Sequence, residues 1–295
     1  MAPGLDLSVL ADEVNAHNYT IPSKDGVNIN VSSVLDEADS ILDRASILDR
    51  ASILDPASIL DRASILDPAS ILDPASILDP ASITQDFDEL RFEAAASRQL
   101  DVLSSTAPPS SQLISSPYNN PGHYLDLATL DTPNLIFAKA LTALKPLRSD
   151  YATAPYLTSL SFPAVLSFVR SLSQEAGYTW KKHTFYVVIF RSQLQADIDN
   201  DLLYKLDYES HREACESGGL LKYWFGKSDG ERRNLATCFW RSREDAHLGG
   251  LGPWHKKARA AGRTMYESIR FSTHRFTITD GAEEIEFEGW EEGRQ

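Results

Sequence analysis

"HTFYVVIFRS", residues 183–192, is the stretch that decides the fold. From Phe185 to Ile189 every side chain is apolar or aromatic, so both sides of an extended chain would be dry, as in a strand at the centre of a covered sheet. Downstream, "DLLYKLDYESHREACES" (201–217) repeats its leucines and tyrosines at helical spacing and stops at Gly218-Gly219. "LLKYWFG" and "NLATCFWRS" then read as two strands around "KSDGER", whose Asp229-Gly230 pair signals a hairpin. "PWHKKARAAGRTMYESIRF" places Trp254, Ala258, Ala261, Met265 and Ile269 on one helical stripe, and "THRFTIT" and "EEIEFEGW" flank Asp280-Gly281 as a closing hairpin. The core order is therefore β-α-β-β-α-β, the split βαβ arrangement of ferredoxin-like α+β folds.

Working outward towards the N-terminus, "FPAVLSFVRSLSQEAG" reads as a helix from Pro163 that stops before Gly177. "TPNLIFAKALTALKP" reads as another, with Thr132 as N-cap and Pro133 at the first helical position, and "HYLDLATL" as a strand. A four-stranded sheet with helices on one face needs cover for the other; these two extra helices or a homodimer would supply it.

Residues 40–81 are seven uninterrupted copies of the hexapeptide SILD[R/P]A. A six-residue period turns about 600° around a helix and scatters its Ile-Leu pairs, so no apolar face forms. The prolines at 56, 68, 74 and 80 also push each preceding Asp towards extended geometry. With so few apolar residues to offset ordering entropy, the array reads as a disordered arm, ahead of a partner-induced structure or a short β-solenoid. "SSTAPPSSQLISSPYNNPG" continues it as a Ser/Pro linker. The expected domains are a low-complexity, disordered segment at 1–121, a globular domain at 122–290 and an acidic tail at 291–295.

Charge follows the same division. Residues 1–121 carry 19 Asp/Glu and 6 Lys/Arg, a balance of −13, whereas 122–295 carry 23 and 22, a balance of −1. An acidic arm on a nearly neutral domain lacks the basic footprint of a nucleic-acid binder. No run of about 18 apolar residues suggests a membrane span. Cys215 and Cys238 are the only cysteines, without metal-ligand spacing, and read as small buried hydrophobes. The N-terminus has no secretory pattern, so the cytoplasm is expected, with the nucleus also open to it.

Two places could carry chemistry. On the 201–217 helix Asp207 and His211 are an i,i+4 pair, in which the carboxylate could orient the imidazole as a general base, with Tyr204, Tyr208, Tyr223 and Trp224 lining an aromatic pocket. The bland reading is a satisfied polar pair at the edge of the core. In "WRSREDAHLGGLGPWHKKARAAGR", glycines precede a helix whose start carries His255 and Lys256, with Arg241 and Arg243 upstream. Free amides at a helix start favour anions, so a carboxylate or phosphate could bind there; a solvated basic face is the alternative.

The segments "DYATAPY", "FYVVIFRS", "SHREACESGGLLKYWFG", "NLATCFWRSREDA" and "GPWHKKARAAGRTMY" resemble those of an uncharacterised fungal family. Its core is similar to dimeric α+β barrels of the antibiotic-biosynthesis-monooxygenase type. The resemblance spans roughly residues 122–290 and brings no catalytic residues to transfer, and the hexapeptide array departs from it; neither a cofactor nor a metal is expected. The resulting reading is a small-molecule-binding α+β barrel protein that forms a homodimer. Its sharper form is a cofactor-independent enzyme for an aromatic or polyketide-like substrate. The rival is a non-catalytic, dimerising interaction protein with an acidic arm. A third reading, an acyl-CoA-dependent transferase, rests on His247-x-x-Gly250-x-Gly252 as a faint pyrophosphate loop. Whether the protein is an enzyme stays open at this level.

Overall fold

A computed structural model describes residues 71–84, 86–102 and 106–291. In chain order the elements are strand β1 (Ile77–Leu78), helix α1 (Phe87–Phe92), strands β2 (Pro109–Ser110), β3 (Gln112–Leu113) and β4 (Leu125–Asp126), and helices α2 (Thr132–Ala140), α3 (Tyr156–Ser159) and α4 (Phe162–Glu175). The core follows as β5 (His183–Leu194), α5 (Asn200–Ser217), β6 (Leu220–Phe225), β7 (Arg233–Trp240), α6 (Arg243–Gly249), α7 (Pro253–Met265), β8 (Tyr266–Ile278) and β9 (Ile285–Gly289).

The main sheet runs β6-β7-β5-β8-β9, antiparallel throughout. Its first four strands have the order expected of the split βαβ core, and the closing hairpin adds β9 at the edge. β5 is central, as its two apolar faces require: Val187 stands between Phe239 and His274, and Tyr186 between Trp240 and Arg275. On one face α2 and α4 lay Phe137 and Phe162 over Phe185, Phe239 and Phe276, with the Phe137 and Phe185 ring centres 4.0 Å apart. On the other, Tyr186, Val188 and Trp240 pack with Ala214 of α5 and Ala246 of α6. The extra helices thus supply the cover that a bare sheet face would otherwise seek from a mate.

Several local expectations shift. Asp131, not Thr132, caps α2, because its carboxylate reaches the Asn134 amide. α7 ends at Met265, and "YESIRFSTHRFTI" is one long strand paired with β5, so Ile269 leaves the helical stripe and is exposed. Alternating aromatic and β-branched residues favour the strand there once β5 offers a ladder. "HYLDLATL" keeps only two strand residues before a 3-10 turn at Leu127–Thr129.

The largest difference is at the domain boundary. Packing against the domain takes in residues well ahead of Gly122: Ile71, Ile77, Leu78, Ile83, Leu90, Leu113, Ile114 and Tyr118 are buried. α1, closed by a capping box from Asp86 and Glu89, lies against β6, where the Trp224 indole donates to Arg91 O and Arg91 donates to Gly226 O. The end of the hexapeptide array is part of this body. β1 pairs with β2, and the buried ammonium of Lys139 donates to Ile71 O and Ser76 Oγ. Composition concealed this because a few well-placed aliphatics and backbone carbonyls suffice when the receiving surface provides the donors. Copies upstream of Ile71, and the disorder expected of them, lie outside the described residues.

Candidate functional site

α5 positions the first candidate. Asp199 caps its start by accepting from the Leu202 amide, and Leu206, Ser210, His211 and Ala214 form its buried stripe. Asp207 and His211 do share one side of the helix, yet they do not bond to each other. Asp207 accepts hydrogen bonds from the Tyr118 hydroxyl and, at 2.6 Å, from the Tyr223 hydroxyl. Burial pushes its carboxyl up, and the two tyrosine donors pull against that shift.

His211 instead meets His123. Their Nδ1 atoms are 2.8 Å apart and the rings are coplanar to within 1°. One nitrogen must donate and the other accept, so the pair is held together only when it is not doubly protonated. His123 Nε2 is buried without a partner. An orphaned acceptor costs less than an orphaned N–H, so the assignment that leaves no orphaned N–H on His123 has His123 donating from Nδ1 and His211 carrying its proton on Nε2. The Cys215 sulfur lies 3.7–3.8 Å from both His211 nitrogens, beside the ring and not in line with either N–H. Burial lowers the pKa of His123 to about 4 and that of His211 well below the ordinary value, and it pushes the Cys215 thiol up to about 12. A neutral imidazole pair beside a neutral thiol is no activated nucleophile.

Tyr118 and His123 complete this cluster; Tyr118 comes from the stretch that reads as a linker, and His123 opens the one that reads as a strand. Tyr118 is its hub, with ring centres 5.2–5.3 Å from His123, Tyr208 and His211. The cluster is filled by its own members: Tyr223 stacks on His211, Tyr208 packs on His123, and Tyr204 lies at the exposed rim. Trp224 does not join it. It points to the opposite face of the sheet, against Tyr151 and Arg91 O.

The second candidate is occupied by the protein itself. The amides of Trp254 and His255 at the start of α7 donate to Glu213 Oε1 and Oε2 at 2.7 and 3.0 Å, and His255 Nδ1 lies 3.1 Å from Oε2. Glu213 is therefore the anion that the helix start was expected to attract. Those donors hold its carboxyl low against the push of burial. Gly252 permits this approach, since a Cβ there would stand 2.2 Å from Glu213 Oε2. The guanidinium of Arg241 forks onto Asp245, Arg243 faces the Tyr186 hydroxyl, and Lys256 is exposed. His247 belongs to α6, so its spacing to Gly250 and Gly252 is not a phosphate loop; the transferase reading loses its motif.

Beside Glu213 lies a surface cleft of about 420 Å³. Its walls are Arg212, Glu216 and Ser217 of α5 together with Leu248, Pro253 and Trp254. A smaller cleft of about 180 Å³, between Tyr124, Leu125 and Gly218-Gly219, reaches Cys215. Among the described residues no group of three or more His, Cys, Asp and Glu side chains is arranged to hold a metal ion, and no helix is long and apolar enough to cross a membrane. Cys215 and Cys238 are free and pack against the apolar cluster under α5.

Residues 114–289, which contain the tyrosine-histidine cluster and the cleft, match the model of the PB2B2.08-like family. The chain belongs to the PB2B2.08-like family. It is 35% identical over 182 residues to the UPF0643 protein PB2B2.08 of Schizosaccharomyces pombe, covering 59% of this chain and 83% of that one. The family match begins ahead of Tyr118 and His123, so it takes in residues that the expected boundary at Gly122 divides. Among solved structures, Rv0793 from Mycobacterium tuberculosis is 18% identical and covers 30% of this chain and 91% of its own, at a TM-score of 0.27. SnoaB, a cofactor-independent oxygenase from Streptomyces nogalater, is 8% identical and covers 31% and 90%, at 0.26. A dimeric protein of unknown function and ferredoxin-like fold from Bacteroides fragilis is 17% identical and covers 31% and 96%, at 0.25.

Proposed function

We propose that this PB2B2.08-like protein is a binding protein whose ligand site is the cleft between α5 and the α6–α7 loop, and that it does not act as an enzyme through His211. The observation that carries this reading is the contrast in access. His211 is 4% exposed and ringed by its own partners, whereas the cleft opens to solvent with a volume of about 420 Å³. Ligand pockets fall at roughly 300–1,000 Å³. The cleft offers an indole surface from Trp254 and apolar edges from Leu248 and Pro253, a set that suits a small planar molecule, and an acid group on it would have to draw the Arg212 guanidinium from its pairing with Glu209 and Glu216.

The test is a thermal-shift screen of the full chain with aromatic carboxylic acids, acyl-CoAs and nucleotides. A stabilising compound whose effect is lost in Trp254→Ala and kept in His211→Gln supports the cleft. Dependence on His211 instead would return the site to the buried cluster, and no stabilising compound at all would overturn the reading. Homodimerisation belongs to the same proposal. With both sheet faces covered, the exposed apolar residues left for a mate include Leu251 in the α6–α7 loop and Ile269 on β8. Sedimentation velocity of the wild type against Ile269→Asp tests that surface.

A further inference from the structure

The end of the hexapeptide array is held in a groove whose polar partners all lie outside the array. Lys139 donates to Ile71 O and Ser76 Oγ, Gln99 Nε2 to Leu78 O, and Asn119 Nδ2 to Ile83 O, while the Asp79 amide donates to Pro108 O beside β2. Ile71, Ile77, Leu78, Pro80 and Ile83 fill its floor. Inside the groove two successive copies fold alike. Asp73 accepts from the Ala75 amide at 2.9 Å and Ser76 Oγ donates back to Asp73 O at 2.7 Å; Asp79, Ala81 and Ser82 repeat the turn at 2.8 and 2.6 Å. Everything the groove reads is thus backbone or a side chain that the hexapeptide repeats.

The bound stretch, residues 71–83, is ILDPASILDPASI, and residues 65–77 are the same thirteen residues in the same order. We propose that this groove is a peptide-binding site for ILDPASILDPASI, and that residues 65–77 can occupy it in place of residues 71–83. The exchange shifts the array by one period, leaves every groove contact chemically unchanged, and adds six residues to the tether ahead of α1. Lengthening a tether carries an entropy cost that grows only logarithmically. The groove also distinguishes the two kinds of copy. Pro80 is buried at the first position of its turn, whereas Pro74 is half-buried. An Arg copy would bring a guanidinium into the Pro80 place but towards water in the Pro74 place. A shift by two periods therefore sets Pro68 in the buried place with Arg62 in the outer one, and a shift by three is blocked because Arg62 would be buried. The alternation of Arg and Pro along the array decides which registers fit. This proposal is independent of the cleft.

The test uses the protein's own two residue types in the full chain. Pro80→Arg disables the present register but leaves the next one intact, so its melting temperature should stay within about 2 °C of the wild type. The introduced arginine should then lie outside the groove and be cut by trypsin in the native protein, as read by mass spectrometry. The triple variant Pro56→Arg/Pro68→Arg/Pro74→Arg keeps Pro80 in place and should also remain near the wild type. Combining all four substitutions leaves no register with proline in the buried place and should lower the melting temperature by at least about 5 °C. Two outcomes would overturn the proposal: Pro80→Arg alone falling as far as the quadruple variant with its new arginine protected from trypsin, or the quadruple variant melting with the wild type.

Discussion

The two faces of the central sheet solve the same burial problem with different chemistry. Under α2 and α4 the cover is a stack of phenylalanines, Phe137, Phe162, Phe185, Phe239 and Phe276. Under α5 it is a mixed layer in which Ala214 and Trp240 give way to Tyr118, His123, Asp207, His211 and Tyr223. The first face needs only apolar residues at the correct alternation. The second needs each hydroxyl, carboxylate and imidazole to find its partner, since an unpaired polar group in a dry site costs more than a paired one contributes. A polar cluster on a helix face is therefore weak evidence for catalysis when its members are already bonded to each other.

The phenylalanine face should yield the largest effect. Phe185→Ala removes a fully buried ring from the middle of the stack and should cost about 3–5 kcal/mol in equilibrium urea unfolding. If the loss stays near 1 kcal/mol, the helices α2 and α4 do not hold that face closed. On the polar face, Asp207→Ala leaves the Tyr118 and Tyr223 hydroxyls without their acceptor and should cost about 2–3 kcal/mol by the same measurement. Removing both hydroxyls as well, in Asp207→Ala with Tyr118→Phe and Tyr223→Phe, should recover part of that loss. A triple variant no better than the single would show that Asp207 acts through something other than these two bonds.

How much of this was readable in advance follows from range. "HTFYVVIFRS" and the hairpin at Asp229-Gly230 announce themselves locally, because strand alternation and turn chemistry depend on near neighbours. The helical placement of Asp207 and His211 was likewise legible, but their partners were not. Tyr118 and His123 are separated from them by 89 and 88 residues; Tyr118 sits among Ser, Pro and Asn, a composition that reads as linker, and His123 opens a stretch that reads as a strand with no sign of an imidazole partner. The same holds for Glu213, which caps a helix start 41 residues away. A carboxylate in the middle of α5 gives no local sign that it is the anion for which the Gly252 loop makes room. The hexapeptide array misled in the opposite direction: its period excludes an amphipathic helix correctly, yet a turn that repeats every six residues can still be gripped by Lys139, Gln99 and Asn119.

A buried lysine breaks the contrast between the faces. Lys222 stands opposite Phe239 on the phenylalanine side, 2% exposed, and burial alone lowers its pKa to about 8. Its folded value lies below its unfolded value, so the charge is a penalty that is fully present at neutral pH and is relieved as pH rises from about 8 towards the ordinary lysine range. Lys222→Met should therefore raise stability at pH 7 by about 1–2 kcal/mol, with a smaller gain at pH 10. An unchanged or lower stability at pH 7 would mean that the ammonium is held by contacts worth as much as its desolvation.

The imidazole pair sets the smallest effect and the finest distinction between the faces. His123 and His211 both have folded pKa values below the unfolded value, His123 at about 4. Between pH 6.5 and about 4 the unfolded chain binds protons that the folded cluster refuses, so stability rises with pH across that window and is lost as pH falls. Asp207 works in the opposite sense, since its raised pKa makes the folded state take up a proton above 3.8. Its contribution therefore cancels part of the slope. Comparing the wild type with His123→Gln keeps Asp207 constant and isolates the contribution of His123. From pH 7 to pH 6 the wild type should lose about 1–2 °C of melting temperature more than the variant. Equal losses would mean that the pair accepts a proton while folded, which the 2.8 Å Nδ1–Nδ1 contact allows at the free Nε2 of His123, since one protonated ring still donates to a neutral one.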